Sequence, residues 1–177
     1  PTAFRKILLV DGKIVLQCLS AGLHTLDGDQ LLPIPNSKVM DELNVKGIYG
    51  IGTKSLLIIT YDQGLYTFEG EALNHLPSGI DSMVIWNTLD LGNGEIALAT
   101  ESTGLVVYKM TDNSVFKINE NRGLYSNSLT VANHGTEGGI WVASDHGISQ
   151  IAYPTALRRV VTDERHNFTA LSIIKIE

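Results

Sequence analysis

The chain has 177 residues, of which 44% are hydrophobic and 18% charged, and its net charge is −6. This balance is typical of a globular domain and argues against a disordered chain. The acidic charge argues against nucleic acid and anionic lipid as partners, because binding to either needs a basic surface. No apolar run reaches the roughly 18 residues that span a bilayer, so we predict no membrane contact by this chain itself.

Four short segments of the chain align with one another, and each begins with a glycine followed by Leu or Ile. The four glycines are Gly22, Gly64, Gly104 and Gly147, so the repeat period is 40 to 43 residues. A period of this size, built from short strands, is typical of a four-stranded β-propeller blade. We assign the recurring glycine to a tight turn that needs a positive φ, the alternative being close approach of a ligand to the backbone.

Each repeat contains four strand-like stretches, A to D in chain order, and the A–B connection opens with a turn signal such as Asp11-Gly12. Stretches A and B are the most apolar, which predicts strands packed between neighbouring blades, and stretch D is polar, as expected of an outer edge. Trp86 on strand A and Trp141 on strand B are therefore expected to pack between blades. The predicted fold class is all-β, with four antiparallel four-stranded blades at about 4–35, 45–77, 82–119 and 127–162.

The C-terminal residues 168–176 match strand A of a fifth repeat, and the chain ends where strand B would follow. Both ends of the chain then carry an A strand, so strand exchange between them completes no blade. We therefore interpret residues 1–177 as a single partial β-propeller domain, an open arc of four blades and an extra strand, cut from a longer protein. Open blade edges expose apolar surface, and we hypothesise self-association through them.

The fourth repeat carries a longer pattern, with the sequence GLYSNSLTV at 123–131 and GGIWVASDHGI at 138–148. It resembles the two-component regulator propeller repeat, which reads Gly-Leu-Pro-Ser-Asn, an apolar strand, Asp-x-x-Gly, a Leu-Trp-Ile-Gly-Thr strand, a short loop and Gly-Leu. Repeats two and three match in part, and the first keeps the Asp-Gly turn and the Gly-Leu step. The tryptophan of strand B is present only as Trp141, and residues such as Leu57 and Ala97 take its place elsewhere.

This repeat family builds the sensor β-propellers of bacterial hybrid two-component histidine kinases and of some cyclic-dinucleotide signalling proteins. The resemblance implies a periplasmic, ligand-sensing module that is joined to a membrane-spanning signalling protein. It also implies a small-molecule ligand, often an oligosaccharide, and a parent protein that is a histidine kinase or a cyclic-dinucleotide enzyme. The alternative is a propeller scaffold that binds another protein without a small-molecule ligand.

The residue pattern contains no catalytic or metal-binding constellation. The five histidines form no His-x-x-x-His or Glu-x-x-His pair, and the chain has no Cys-x-x-Cys, nucleophile elbow, P-loop or dinucleotide fingerprint. Asp-Gly pairs such as Asp11-Gly12 are explained by turn chemistry rather than by calcium. We therefore predict a non-catalytic module with no metal and no cofactor, and an enzyme is the third hypothesis.

Binding on a rigid β scaffold concentrates in its loops, and the B–C and D–A loops of an antiparallel blade lie at the same end. Carboxylates with a nearby aromatic ring suit the hydroxyl groups of a sugar. The candidate ligand contacts in these loops are Asp62, Glu101, Arg122, Tyr125, Asn127, Asp145, His146, Arg165 and His166. The alternative is that these are ordinary solvated loop residues.

Overall fold

The computed structural model describes residues 3–52, 55–135, 138–153 and 156–161, the last segment by its backbone alone. Within these residues, sixteen strands form four sheets, and each sheet has four antiparallel strands in chain order. The all-β fold of four four-stranded propeller blades that the repeat predicts is therefore confirmed. The expected strand at 168–176 lies outside the described residues.

The first two blades form a compact N-terminal unit, Pro1–Ser82. A 3₁₀ turn, Ser37–Met40, lies between them. Their strands are β1 (Phe4–Val10), β2 (Lys13–Cys18), β3 (Gly22–Asp27) and β4 (Gln30–Pro33) in blade 1, and β5 (Val45–Ile51), β6 (Ser55–Thr60), β7 (Leu65–Glu69) and β8 (Ala72–Leu76) in blade 2.

The last two blades form a compact C-terminal unit, Met83–Glu177. A 3₁₀ turn, Glu120–Arg122, lies between them. Their strands are β9 (Ile85–Gly92), β10 (Glu95–Thr100), β11 (Leu105–Lys109) and β12 (Val115–Ile118) in blade 3, and β13 (Leu129–His134), β14 (Ile140–Ser144), β15 (Gly147–Ala152) and β16 (Ala156–Val161) in blade 4.

Two-residue turns join strands A and B of blades 1 and 3. Asp11 and Gly12 have φ angles of 48° and 75°, and Asn93 and Gly94 have φ angles of 53° and 75°. Hairpin turns that suit the twist of paired strands need two successive positive φ angles, which Asp-Gly and Asn-Gly adopt at small cost. Backbone geometry therefore explains these turn residues.

The core of the N-terminal unit lies between the facing sides of blades 1 and 2. Blade 1 contributes Val15 and Leu23, and blade 2 contributes Ile48 and Ile58, all of them buried. Along each strand these residues alternate with side chains on the opposite face, as the two-residue period of a strand requires. Full burial of such a side chain contributes roughly 1.5–3 kcal/mol to folding.

The core of the C-terminal unit is built in the same way from blades 3 and 4. Ala97 and Leu105 on blade 3 pack in one cluster with Ile140 and Val142 on blade 4. The small side chain of Ala97 leaves room for the larger ones of the facing sheet. This packing holds the loops at the ends of both blades on a rigid base.

Strand A is not the most buried strand of a blade, contrary to the expectation from its apolar sequence. Side chains of β1 and β9 are mostly exposed or half-buried, whereas those of β10 and β11 are almost all buried. The sheet order explains the difference, because strands A and D form the edges and strands B and C have partners on both sides. Trp86 on strand A is 41% exposed, so its expected core position is wrong, and Trp141 is half-buried.

Candidate functional site

The B–C turns of blades 2 and 3 are each closed by a buried threonine at the equivalent position. Thr60 Oγ1 donates a hydrogen bond to the carbonyl oxygen of Gly64 at 2.7 Å and accepts one from the Gln63 amide at 3.0 Å. Thr100 Oγ1 makes the equivalent bond to the carbonyl oxygen of Gly104 at 2.8 Å. Because the hydroxyl closes each turn from inside, the exposed residues of the turn stand on a rigid base.

The repeated glycine lies where the D–A loop of a blade packs against its B–C turn. The φ angles of Gly22, Gly64 and Gly104 are 72°, 77° and 88°, in agreement with the turn assignment. The amide of Gly104 donates to the carbonyl oxygen of Asn127 at 2.9 Å. A β-carbon on Gly64 would lie 2.7 Å from Asp81 Oδ1. The group that approaches the glycine backbone is therefore the chain's own loop.

In the C-terminal unit, the loop before blade 4 and the B–C turn of that blade bring four side chains together. Asp145 Oδ1 lies 2.6 Å from His146 Nδ1 and accepts a hydrogen bond from Ser126 Oγ at 3.4 Å. The ring centroids of Tyr125 and His146 are 6.1 Å apart, with 58° between the ring planes. The structure therefore joins three predicted contacts, Tyr125, Asp145 and His146, with Ser126. We call these four residues the loop cluster.

A buried serine positions the turn that carries the Asp-His pair of the loop cluster. Ser144 Oγ donates to the carbonyl oxygen of Gly147 at 3.1 Å and accepts from the His146 amide at 3.2 Å. Ser144 is thus the counterpart in blade 4 of the turn threonines. Ser126 is not among the contacts predicted from the sequence, although it belongs to the Gly-Leu-Tyr-Ser-Asn motif, which was the available signal.

The geometry of the loop cluster suits binding better than nucleophilic catalysis. Ser126 donates to the Asp145 carboxylate, whereas the serine of a Ser-His-Asp triad is hydrogen-bonded to the imidazole that takes its proton. The Asp145 side chain is 45% exposed and retains carboxylate acceptor capacity. The two aromatic rings of this patch can contact an apolar face of a ligand, and the carboxylate can accept hydrogen bonds from the hydroxyl groups of the same ligand.

Arg122 and Asn127, two further predicted contacts, have structural partners within the chain, which are Phe116 on strand β12 and Glu120 in the same loop. The Arg122 guanidinium carbon lies 4.5 Å from the ring centroid of Phe116. Asn127 Oδ1 accepts from the Glu120 amide, and the Asn127 amide donates to Glu120 Oε1, both at 2.9 Å. This reciprocal pair closes the loop, so Asn127 positions the neighbouring Tyr125 and Ser126.

The remaining predicted contacts are not part of the loop cluster. Glu101 is exposed on the B–C turn of blade 3, in the C-terminal unit. Asp62 is exposed on the B–C turn of blade 2, in the N-terminal unit. Arg165 and His166 lie outside the described residues.

Next to the turn that carries Asp62, the N-terminal unit holds an acid–imidazole pair that the sequence analysis missed. His75 Nε2 lies 3.6 Å from Asp81 Oδ1, and the His75 ring meets the Tyr66 ring in a T-shaped contact with centroids 5.2 Å apart. Asp81 accepts hydrogen bonds from the Ser78 amide and hydroxyl at 2.9 and 3.0 Å. The Ser-x-x-Asp spacing was the available signal, because these residues hydrogen-bond within turns.

A cavity of about 520 Å³ opens in the N-terminal unit, beside the A–B and C–D turns of its blades. This volume falls in the range of small-molecule sites. Its main lining residues are Ile34, Leu56 and Phe68 on the apolar side and Asp11, Asn36, Ser55 and Glu71 on the polar side. This cavity was not predicted, because the candidate contacts were taken from the B–C and D–A loops at the other end of the blades.

Two charged groups with shifted pKa values belong to the scaffold. Burial and the nearby charge of Lys46 lower the pKa of Lys6 to about 8, and Lys6 Nζ donates to the Lys46 carbonyl oxygen. Hydrogen bonds from Lys109 and Tyr153, at 2.8 and 2.9 Å, lower the pKa of Glu95.

In the described part of the chain, no three His, Cys, Asp or Glu side chains form a group that could hold a metal ion. No helix there is long and apolar enough to cross a membrane.

No protein-family model and no curated protein matches this sequence. Among solved structures, the extracellular domain of BT4673 from B. thetaiotaomicron, ascribed to a one-component system, matches with a TM-score of 0.71 and 16% identity over 97% of this chain and 24% of that chain. A second BT4673 structure, ascribed to a hybrid two-component system, matches with a TM-score of 0.60 and 17% identity over 96% and 24% of the two chains. PorZ, a surface component of the type-IX secretion system of Porphyromonas gingivalis, matches with a TM-score of 0.58 and 13% identity over 97% and 30%.

These similarities establish the fold of the chain. The chain spans about a quarter of the length of the BT4673 domain that it matches, and at such low identity the likeness shows the β-propeller fold. The neighbours include extracellular domains of the class of signalling protein that the repeat pattern resembles. The β-propeller fold that the repeat resemblance implies is therefore confirmed.

Proposed function

We propose that this chain is a non-catalytic, periplasmic ligand-sensing module of a bacterial two-component signalling protein, and that it binds a small ligand such as an oligosaccharide. The observation that carries the proposal is the match of 97% of the chain to the extracellular domain of BT4673. The repeat pattern of blade 4 supports the same class of protein. Binding would then change the geometry of the module and pass to a linked histidine kinase or cyclic-dinucleotide enzyme.

We assign the ligand to the loop cluster. A sugar presents apolar ring faces and a rim of hydroxyl groups, so its site needs both aromatic surface and strong acceptors. Tyr125 and His146 supply the rings, and the Asp145 carboxylate supplies an acceptor for charge-assisted hydrogen bonds. Ser126 donates a hydrogen bond to this carboxylate and so helps to fix its orientation. The cluster stands on loops of a rigid sheet, where binding residues are usually found.

A thermal-shift screen against a panel of oligosaccharides and other small metabolites tests the proposal. A ligand that binds the folded state raises the melting midpoint by mass action, so one sugar class should raise it selectively. Asp145→Asn keeps the side-chain shape and removes the charge, and we expect about tenfold weaker binding. Asp62→Asn, on the B–C turn of blade 2, is the matched control and should bind as the unmodified protein does.

The cavity of the N-terminal unit supplies the competing location for the same ligand. Glu71→Gln removes a carboxylate from the cavity lining and leaves the loop cluster intact. Weaker binding by E71Q with normal binding by D145N would move the site to the cavity and leave ligand sensing in place. If no sugar or metabolite shifts the midpoint of the folded protein, the ligand-sensing proposal is wrong.

A protein-binding scaffold is the second candidate function, and one observation favours it. Ile7 and Leu9, on one face of blade 1, are 66% and 72% exposed. Large apolar side chains that are exposed side by side usually mark an interaction surface. The two functions separate in the screen, because Ile7 and Leu9 variants would then change binding to protein and leave the response to sugars unchanged.

A further inference from the structure

Trp86 is a large aromatic side chain that the packing of blades 3 and 4 leaves accessible to solvent. It lies on strand β9 and is 41% exposed, whereas the preceding residue, Ile85, is fully buried. The neighbouring blade is in place at this point, because Asn87 Oδ1 accepts a hydrogen bond from the Ala132 amide of blade 4 at 3.0 Å. Trp86 is therefore exposed next to a packed neighbour.

A β-bulge explains why Trp86 is not in the packed face. Ile85 lies opposite Thr100 on strand β10, and Asn87 lies opposite Ala99. Trp86 is the extra residue between these two pairs. A bulge interrupts the two-residue alternation of a strand and redirects the extra side chain, and bulges are frequent beside functional sites.

Strand A of every blade has a bulge at this position, but the extra residue differs. It is Arg5 in blade 1, Lys46 in blade 2, Trp86 in blade 3 and Thr130 in blade 4. A position that packs between sheets would carry an apolar side chain in each repeat, whereas arginine, lysine and threonine are polar. The repeat thus keeps the backbone geometry of this position and varies its chemistry, as expected of a position that presents side chains to a ligand.

Trp86 lies at the same end of the C-terminal unit as the loop cluster. The hydrogen bond to the Ala132 amide places strand β9 beside strand β13. Leu129, three residues before Ala132, pairs with Ser144, and Asp145 of the loop cluster is the next residue. Three strand residues span about 10 Å, so a ligand that contacts both Trp86 and the loop cluster must be larger than one sugar ring.

We propose that Trp86 is a second contact for the saccharide, a platform on which one sugar ring stacks while another ring of the same molecule lies in the loop cluster. This inference rests on the proposed function and narrows the ligand class to an oligosaccharide rather than a single sugar. The indole ring offers a large apolar surface to the apolar face of a sugar ring. It is also rigid, so that little conformational entropy is lost on binding.

Tryptophan fluorescence tests this contact directly, because the chain has only two tryptophans. In Trp141→Phe all tryptophan emission comes from Trp86. We would titrate this variant with xylose, glucose and galactose, and with the linear oligosaccharides built from each. The oligosaccharides that raise the melting midpoint should shift its emission to shorter wavelength, because a stacked sugar displaces water from the indole. The matched control is Trp86→Phe, which keeps Trp141, and its emission should stay unchanged.

The length of the sugar separates a contact by Trp86 from a structural role. Trp86→Ala should weaken the binding of longer oligosaccharides about tenfold and leave the binding of the shortest sugar unchanged. Asp145→Asn should weaken the binding of all of them, because each bound sugar occupies the loop cluster. Phe116→Leu changes another aromatic side chain of blade 3, which is 40% exposed on strand β12, and should bind every sugar normally.

Two results would overturn the role of Trp86 and leave ligand sensing in place. One is an oligosaccharide that raises the midpoint while the Trp86 emission and the affinity of W86A stay unchanged. The other is an equal loss of affinity for short and long sugars in W86A, because Trp86 would then only support the loop cluster. A panel in which no sugar binds would overturn both the saccharide ligand and its contact with Trp86.

Discussion

Blades 1 and 2 present the same sheet face in two different environments. Ile7 and Ile48 occupy equivalent positions on strand A, yet their exposed fractions are 66% and 1%. Leu26 and Phe68 occupy equivalent positions on strand C, and their exposed fractions are 40% and 2%. Both faces are apolar, so composition does not explain the difference. In a repeat array each blade buries its face only against a neighbour, and a neighbour covers this face in blade 2.

Substituting the two equivalent isoleucines should give the largest contrast. We expect Ile48→Ala to lower the free energy of unfolding by about 3 kcal/mol, because it leaves a cavity in a packed core. Ile7→Ala, measured at a concentration where the chain is monomeric, should change it by less than about 0.5 kcal/mol. Urea unfolding of both variants measures the difference. Equal losses would mean that the face of blade 1 is covered within the monomer.

Two glycines of blade 2 allow the free-energy cost of backbone strain to be measured apart from the cost of close packing. Gly64 and Gly70 have φ angles of 77° and 68°, but only Gly64 has a neighbour within 4 Å of the β-carbon position, the carboxylate of Asp81 among others. We expect Gly70→Ala to cost about 1 kcal/mol from strain alone. Gly64→Ala should cost about 2–3 kcal/mol, because the D–A loop must also move. Thermal unfolding would contradict this account if the two variants melted together.

Lys6 should make the free energy of unfolding depend on pH, because it is partly buried where blade 1 meets blade 2. The pKa of Lys6 is lowered from 10.5 to about 8, so in this range the unfolded chain binds more protons than the folded chain. Stability should therefore rise as the pH increases from about 8 towards 10.5, by about 1 kcal/mol once the partial exposure of Lys6 is allowed for. Urea unfolding of Lys6→Met across this range should show a smaller rise than the unmodified protein. The exposed Lys13→Met is the control, and an equal slope in K6M would contradict the assignment to Lys6.

His24 should give the smallest effect. Its Nδ1 atom is buried without a partner, whereas Tyr66 at the equivalent position of blade 2 packs against the ring of His75. Replacing a polar group that makes no hydrogen bond by an apolar one of similar size costs little. We expect His24→Leu to change the free energy of unfolding of the monomer by less than about 0.5 kcal/mol in urea. A loss above about 2 kcal/mol would reveal a hydrogen bond to His24 in solution.

The predictable part of the site follows from local chemistry. Turn residues and antiparallel connectivity indicate which loops share one end of a blade, and this reasoning selected Tyr125, Asp145 and His146. Their contact with one another and with Ser126 depends on how the D–A loop packs on the B–C turn. The pair His75 and Asp81 was missed for the same reason. Distances between loops depend on packing partners that are remote in sequence.

The number of blades, their strands and the turns that join them can all be predicted from the residue pattern. This is possible because strand alternation and glycine turn geometry act within a few residues, and the repeat copies them four times. Which apolar residues are buried depends on how the blades pack against one another. Trp86 and Ile7 are exposed, whereas Ile48 is buried, because burial requires a neighbouring surface and not just an apolar side chain.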